Sequence, residues 1–202
     1  MKNIWILSLF VGLMFAGCNE RSEDLPDEDY NALFPNKGKI DKPDIDYTNM
    51  TPMVCDPKEN EMNFQYPGVD VKKNVRNYTV TLKYQFTETK ANNMGGDSRS
   101  QFDLKYVTKD KTLVVLRSYS EDGKPADIEN GKEYEMKFKV KSGYPLYLSV
   151  YGAGYDLFKM KATIQAKSDD GIVVSPVIKY ETSFYADGFT EMTPYCEKII
   201  LP

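Results

Sequence analysis

The sequence predicts an all-β protein, a single antiparallel β-sandwich, and three observations carry that expectation. Beyond Asn49, apolar and polar residues alternate with period two through most of the chain, the spacing of strands buried on one face. No stretch of 12 or more residues keeps a 3.6-residue apolar period, so long amphipathic helices are not expected. Turn-forming residues punctuate the apolar runs at short intervals, leaving room for roughly eight to ten strands. The pattern fits an immunoglobulin-like or a transthyretin-like topology and leaves the two open. There is no internal repeat.

Taken in order, the first clear strand is Asn77–Glu88, with Tyr78, Val80, Leu82, Tyr84 and Phe86 on one face and Thr79, Thr81, Lys83, Gln85 and Thr87 on the other. A loop, ANNMGGDSRS, separates it from Phe102, Leu104 and Tyr106, which repeat the alternation. Leu113–Leu116 is continuously apolar and should lie deep. Tyr134, Met136, Phe138 and Val140 alternate with Lys137 and Lys139. Phe158 to Ala166 alternates with Lys159, Lys161, Thr163, Gln165 and Lys167. Turns are expected at Asp122-Gly123-Lys124-Pro125, Asn130-Gly131 and Asp169-Asp170-Gly171, whose residues tolerate positive φ or preset a turn. Gly152-Ala153-Gly154 reads as a bend between two strands. Pro176 cannot donate a ladder hydrogen bond, so its strand is an edge or carries a bulge.

Composition narrows the chemistry. There is no histidine, which excludes Ser–His and Cys–His nucleophilic pairs and any imidazole-ligated zinc or copper. The net charge of −4 argues against a nucleic-acid partner, because phosphate backbones repel an acidic domain. Asp41, Asp44 and Asp46, like Asp169 and Asp170, lack the spacing and distal glutamate of a calcium loop. They read as solvated turns. No pair of carboxylates is singled out for glycoside hydrolysis. The expectation is a protein that is not an enzyme and takes no cofactor.

The N-terminus carries the one recognisable motif. Lys2 precedes an apolar run from Ile4 to Phe15, and Phe15-Ala16-Gly17 leads into Cys18. The run is shorter than the roughly 20 residues a spanning helix needs and fits a cleavable hydrophobic region. Ile4–Cys18 resembles a bacterial lipoprotein signal peptide, with Phe15 where such motifs prefer Leu. The resemblance implies removal of residues 1–17 and lipidation of Cys18. Residues 18–48 then form an acidic, proline-containing tether that buries too little apolar surface to order itself, although Leu33, Phe34 and Ile40 are able to dock locally. Residues 49–202 make the sandwich. Glu20, Glu23 and Asp24 resemble the surface-export signals of Bacteroidota lipoproteins, which implies an outer-membrane protein, on the cell surface rather than the periplasmic leaflet.

With Cys18 lipidated, Cys55 and Cys196 remain, and in an oxidising envelope they are expected to pair. Cys55 is expected in the first strand and Cys196 in the last, with the two strands as neighbours. Tyrosine is the most conspicuous feature, with Tyr144, Tyr147, Tyr151 and Tyr155 inside SGYPLYLSVYGAGYD. In a strand, Tyr147, Ser149 and Tyr151 share one face and Leu146, Leu148 and Val150 the other. Such a row either presents an aromatic binding surface for a sugar or a protein or is ordinary strand composition. The mature chain would have no tryptophan, the strongest stacking residue for sugars. At the level of architecture the chain resembles the small sandwich lipoproteins of type VI secretion membrane complexes. That resemblance implies a noncatalytic assembly module whose partner is another envelope protein. The alternative is a surface glycan-binding lipoprotein of a polysaccharide-utilisation system.

Overall fold

The computed structural model describes Leu33 and residues 43–46, 48, 55, 64–89 and 100–202, with the backbone alone at 155–156 and 184–188. The signal run, Cys18, most of the tether and the loop at 91–99 lie outside the described residues. Nine strands follow one another: β1 (Ile45–Asp46), β2 (Asp70–Val71), β3 (Asn77–Thr89), β4 (Gln101–Val107), β5 (Leu113–Arg117), β6 (Glu133–Lys141), β7 (Pro145–Ser168), β8 (Val177–Glu191) and β9 (Tyr195–Ile200). β1 pairs with β2 in a small ribbon, and the other seven form one antiparallel sheet. The packed body therefore begins before Asn49. Ile45 and Asp46 belong to it, and so does Leu33, which is buried and whose carbonyl accepts the Val174 N–H.

The organising element is β7, which runs 24 residues straight through Gly152-Ala153-Gly154. The expected bend is there, but within one strand rather than between two. The register of pairing with β8 shifts between Gly154 and Asp156. Ile164 pairs with Leu82 of β3 on one side and Ile178 of β8 on the other. Leu148 pairs likewise with Tyr106 of β4 and Glu197 of β9. At Ala153 the partners are Gln101 of β4 and Glu191 of β8. So β3 and β4 line one edge of β7 end to end, and β8 and β9 line the other. β6 adds outside β3, and β5 outside β4. Among the described residues, β5, β6, β8 and β9 are the outermost strands.

The two four-stranded halves fold against each other about the glycine pair. Tyr180 of β8 and Tyr195 of β9, 15 residues apart on one edge, bring their rings to 4.8 Å, and the Tyr195 hydroxyl, which donates to Glu197 at 2.6 Å, stands 3.3 Å from the Lys179 carbonyl oxygen. Glycine is required at the fold. A Cβ on Gly152 would overlap the Met160 side chain and stand 2.9 Å from the Gln101 carbonyl oxygen, and one on Gly154 would overlap Ser100. The result is the expected all-β, sandwich-like fold. Its core is built from the predicted apolar faces: Tyr78, Val80, Leu82 and Phe86 of β3, Phe102 and Leu104 of β4, and Phe158, Met160 and Ile164 of β7 are almost wholly buried.

The turn chemistry works as its residues require. Asp122 and Gly123 both take positive φ (50° and 76°), and Glu121 and Lys124 exchange backbone hydrogen bonds across them, the geometry of a two-residue hairpin. Asn130 ties its turn to β3, its side chain accepting the Glu88 N–H at 2.8 Å and donating to the Glu88 carbonyl at 3.0 Å. Pro176 lies just outside β8, at the first position where its missing N–H costs nothing, and its carbonyl accepts the Ala166 N–H.

Candidate functional site

The tyrosine row lies on the outward face of the β5-β4-β7-β9 half, where Tyr147 pairs with Lys198, Ser149 with Lys105 and Cys196, and Tyr151 with Asp103. The predicted alternation holds, with Leu146, Leu148 and Val150 on the core face. What differs is exposure. Tyr147 is 0% exposed and Ser149 is buried, because a segment N-terminal to β3 crosses over them. That strap is bonded to the start of β5 at one end: Leu113 N–H donates to the Phe64 carbonyl and Tyr66 N–H to the Lys111 carbonyl, each at 2.8 Å. Tyr66 stacks on Tyr147 with centroids 5.6 Å apart, and Phe64 meets Tyr66 edge-on at 4.7 Å. Beyond them, the Tyr147 hydroxyl donates to the Cys55 carbonyl at 3.1 Å. The strap also explains why Leu113 and Val115, on the same outward face of β5, are buried.

The far end of the strap is held by a disulfide between Cys55 and Cys196, with Cα atoms 5.6 Å apart across 141 positions. The pair forms, but not between neighbouring terminal strands. Cys55 lies in a bend outside any described strand, and β9, which carries Cys196, pairs with β7. The bridge therefore staples a covering segment to a sheet.

Tyr144 departs further from a surface role. It is buried in the core, edge-on to Phe138 at 6.1 Å, and its hydroxyl donates to the Val107 carbonyl at 2.6 Å. Burial pushes its phenol well above the ordinary range. An exposed aromatic surface that includes Tyr144 and Tyr147 is therefore corrected: both rings are spent inside the fold. The Tyr155 side chain lies outside the described residues. Among the described side chains of the row, Tyr151 alone is partly exposed.

Around Tyr151, beside the bend of β7, a half-buried polar patch gathers at one end of β4 and β5. The Arg117 guanidinium contacts Glu121 at 2.8 Å and stands 3.9 Å from Asp103, and the Arg117 N–H donates to Asp127 at 3.0 Å. Burial pushes the Asp103 carboxyl up, against a hydrogen bond from Tyr119 and the charge of Arg117. Burial, then the Asp103 charge, raises the Tyr119 phenol; burial, then Glu191, raises that of Tyr151. Two phenols, four carboxylates and a guanidinium so arranged offer hydrogen bonds to hydroxyl or ammonium groups. Asp103 occupies an outward position in the predicted alternation, but nothing in the sequence signals that Tyr119 and Arg117 converge on it. Of the acidic DKPDIDY stretch, Asp41 lies outside the described residues, and Asp46 takes hydrogen bonds from Thr48 and an ion pair with Lys72 at 3.0 Å, which hold its carboxyl down at about 2.

The other half presents a different outward face. β6 contributes Lys137, Lys139 and Lys141, β3 contributes Lys83 among threonines and Gln85, β7 contributes Lys159, Lys161 and Lys167, and β8 contributes Lys179. All eight are exposed. Glu135 lies between Lys83 and Lys137 (3.0 and 2.6 Å), and Glu181 between Lys161 and Lys179 (3.6 and 3.1 Å). Comparison with known proteins returns no matching family model, no matching curated protein and no matching solved structure.

Proposed function

We propose that this chain is an outer-membrane lipoprotein, anchored through Cys18, whose sandwich is a noncatalytic docking module for another envelope protein, as an accessory subunit of a secretion-type complex. The observation that carries the reading is the strapped tyrosine face. The stacking position over Tyr147, where a sugar ring would lie, is taken by Tyr66 of the same chain, so the most aromatic surface is used for stability rather than for ligand. The disulfide accords with an oxidising compartment. Among the described residues no helix is long and apolar enough to cross a membrane, so membrane attachment in this reading rests on the lipid.

A second reading draws on the patch around Tyr151. Two phenols beside Asp103 and Glu191 are the kind of group that meets sugar hydroxyls, and would make the chain a surface glycan-binding lipoprotein. The two readings separate in one comparison. Crosslinking in intact cells, then purification from solubilised envelope, is expected to recover one defined protein partner, while glycan arrays with the same protein stay silent. Submillimolar binding to one polysaccharide, lost in Tyr119→Ala and Tyr151→Ala, would replace the docking reading by the glycan one.

A further inference from the structure

The lysine face concentrates charge against the trend of the chain. Once residues 1–17 are removed, 25 basic residues stand against 30 acidic ones, a net charge of −5. Yet the outward face of β6-β3-β7-β8 carries eight lysines against four acids: Glu133, Glu135 and Glu181 in the strands, and Asp169, which reaches in from the turn after β7 to Lys139 at 3.3 Å. A face of +4 leaves −9 for the rest of the molecule. The four acids do not neutralise it: Asp169 pairs with Lys139 alone, and Glu135 and Glu181 are each divided between two lysines. Lys141, Lys159 and Lys167 have no acid within ion-pair distance among the described residues. Between the lysines stand Thr79, Thr81, Thr163, Gln85 and Gln165, uncharged hydrogen-bonding groups, with Val177 exposed at the start of β8. No strap covers this face among the described residues, in contrast to the other half.

The path of the chain sets what meets this surface. Leu33 is bonded to Val174, three positions before β8 begins, and β8 is one border of the lysine face. From Cys18 to Leu33 the chain spans at most about 50 Å. A lipid on Cys18 would thus hold the membrane within reach of this half of the sandwich.

We infer that the lysine face of β6-β3-β7-β8 docks on the anionic headgroups of the membrane to which Cys18 is tethered, so that the opposite half and its polar patch face outward. This rests on the lipid-anchor reading of the previous section. A broad face of separated ammonium groups matches a plane of phosphates better than it matches a shaped cleft, and each lysine brought near an anionic surface adds attraction that decays within a Debye length. A lysine is a compact, rotatable point charge suited to phosphate at variable positions.

The test is amine-reactive footprinting of the lipidated protein, reconstituted in vesicles of phosphatidylcholine alone and of phosphatidylcholine with phosphatidylglycerol. Acylation of Lys139, Lys159 and Lys167 is expected to slow by at least about threefold in the anionic vesicles at low salt, and the protection to vanish as salt screens it. Lys109 and Lys124, exposed on the other half, keep the same rate in both. Replacing Lys159 and Lys167 by Gln should reduce protection at Lys139 while the Cys55–Cys196 bridge, read by intact mass, stays formed. Equal acylation in the two vesicle types, with the protein bound to both, overturns the inference. So does protection found only in native envelope, which would assign the face to an acidic protein. Failure of the protein to float with neutral vesicles contradicts the anchor itself, and this inference falls with it.

Discussion

At the scale of single residues, the tyrosines show how an amphipathic side chain is used inside a sheet. The ring fills the core while the hydroxyl finds a main-chain acceptor, as Tyr144 does at Val107 and Tyr78 at Pro202. Tyr144→Phe keeps the ring and removes the hydrogen bond, so a loss of about 1 kcal/mol is expected in denaturant unfolding. The same burial sets a pH limit. Burial, then Tyr106, Tyr134 and Asp127, push the Tyr84 phenol from 10.0 up to about 12, and Tyr144 moves in the same direction. Because the folded state holds these protons more tightly than the unfolded chain, their contribution to stability is complete below pH 10 and is lost as pH rises towards about 12. Phenolate absorbance followed alongside circular dichroism should therefore show a late ionising fraction that appears together with unfolding. If all the tyrosines titrate near pH 10 with the fold intact, the buried hydroxyls are misassigned.

At the scale of elements, two devices shape the molecule, the bend in β7 and the strap across its outer face. Gly154→Ala drives a methyl into Ser100 and Gly152→Ala one into Met160; each should cost on the order of 1–3 kcal/mol by overpacking, read as a lower unfolding midpoint. The strap depends on its bridge. Replacing Cys55 and Cys196 by Ser removes a crosslink that closes 141 positions, which in the chain-entropy model is worth roughly 5 kcal/mol as an upper value. It should also free Tyr66 and Tyr147, seen as lost near-ultraviolet dichroism and faster proteolysis at Phe64 and Tyr66. Unchanged proteolysis would mean that the stacking holds the strap without the bridge. Much of this was legible beforehand, because period-two alternation is a local property: the core faces of β3, β4, β6 and the second half of β7 are the ones the sequence pattern selects. Two things were not. That β7 continues through its glycines depends on partners from β4 and β8, which lie far away in the chain. That the tyrosine row is covered depends on Tyr66, 81 positions before Tyr147, and alternation reports which face a side chain takes but not what lies over that face. The cysteine count likewise predicts a pair without showing its route, so the bridge joins a strap to β9 rather than two terminal strands.

At the scale of the whole molecule, the two halves divide their labour. One is closed by the chain's own strap and carries a half-buried acid–phenol patch; the other is lysine-rich and, among the described residues, uncovered. A lipid on Cys18 and a lysine face near the point where Leu33 joins the body would together fix how the sandwich stands on a membrane, with the lipid supplying the attachment. The lipid holds the protein at the bilayer, so the cationic face is expected to orient the sandwich and add to the anchor rather than replace it. Everything proposed about location and partner follows from acylation at one residue. The most direct test is metabolic labelling of cells with a fatty-acid probe, comparing the native chain with Cys18→Ala. The account predicts strong labelling and membrane fractionation of the native protein, and neither in the variant. Equal labelling of both, or none in either, would contradict it.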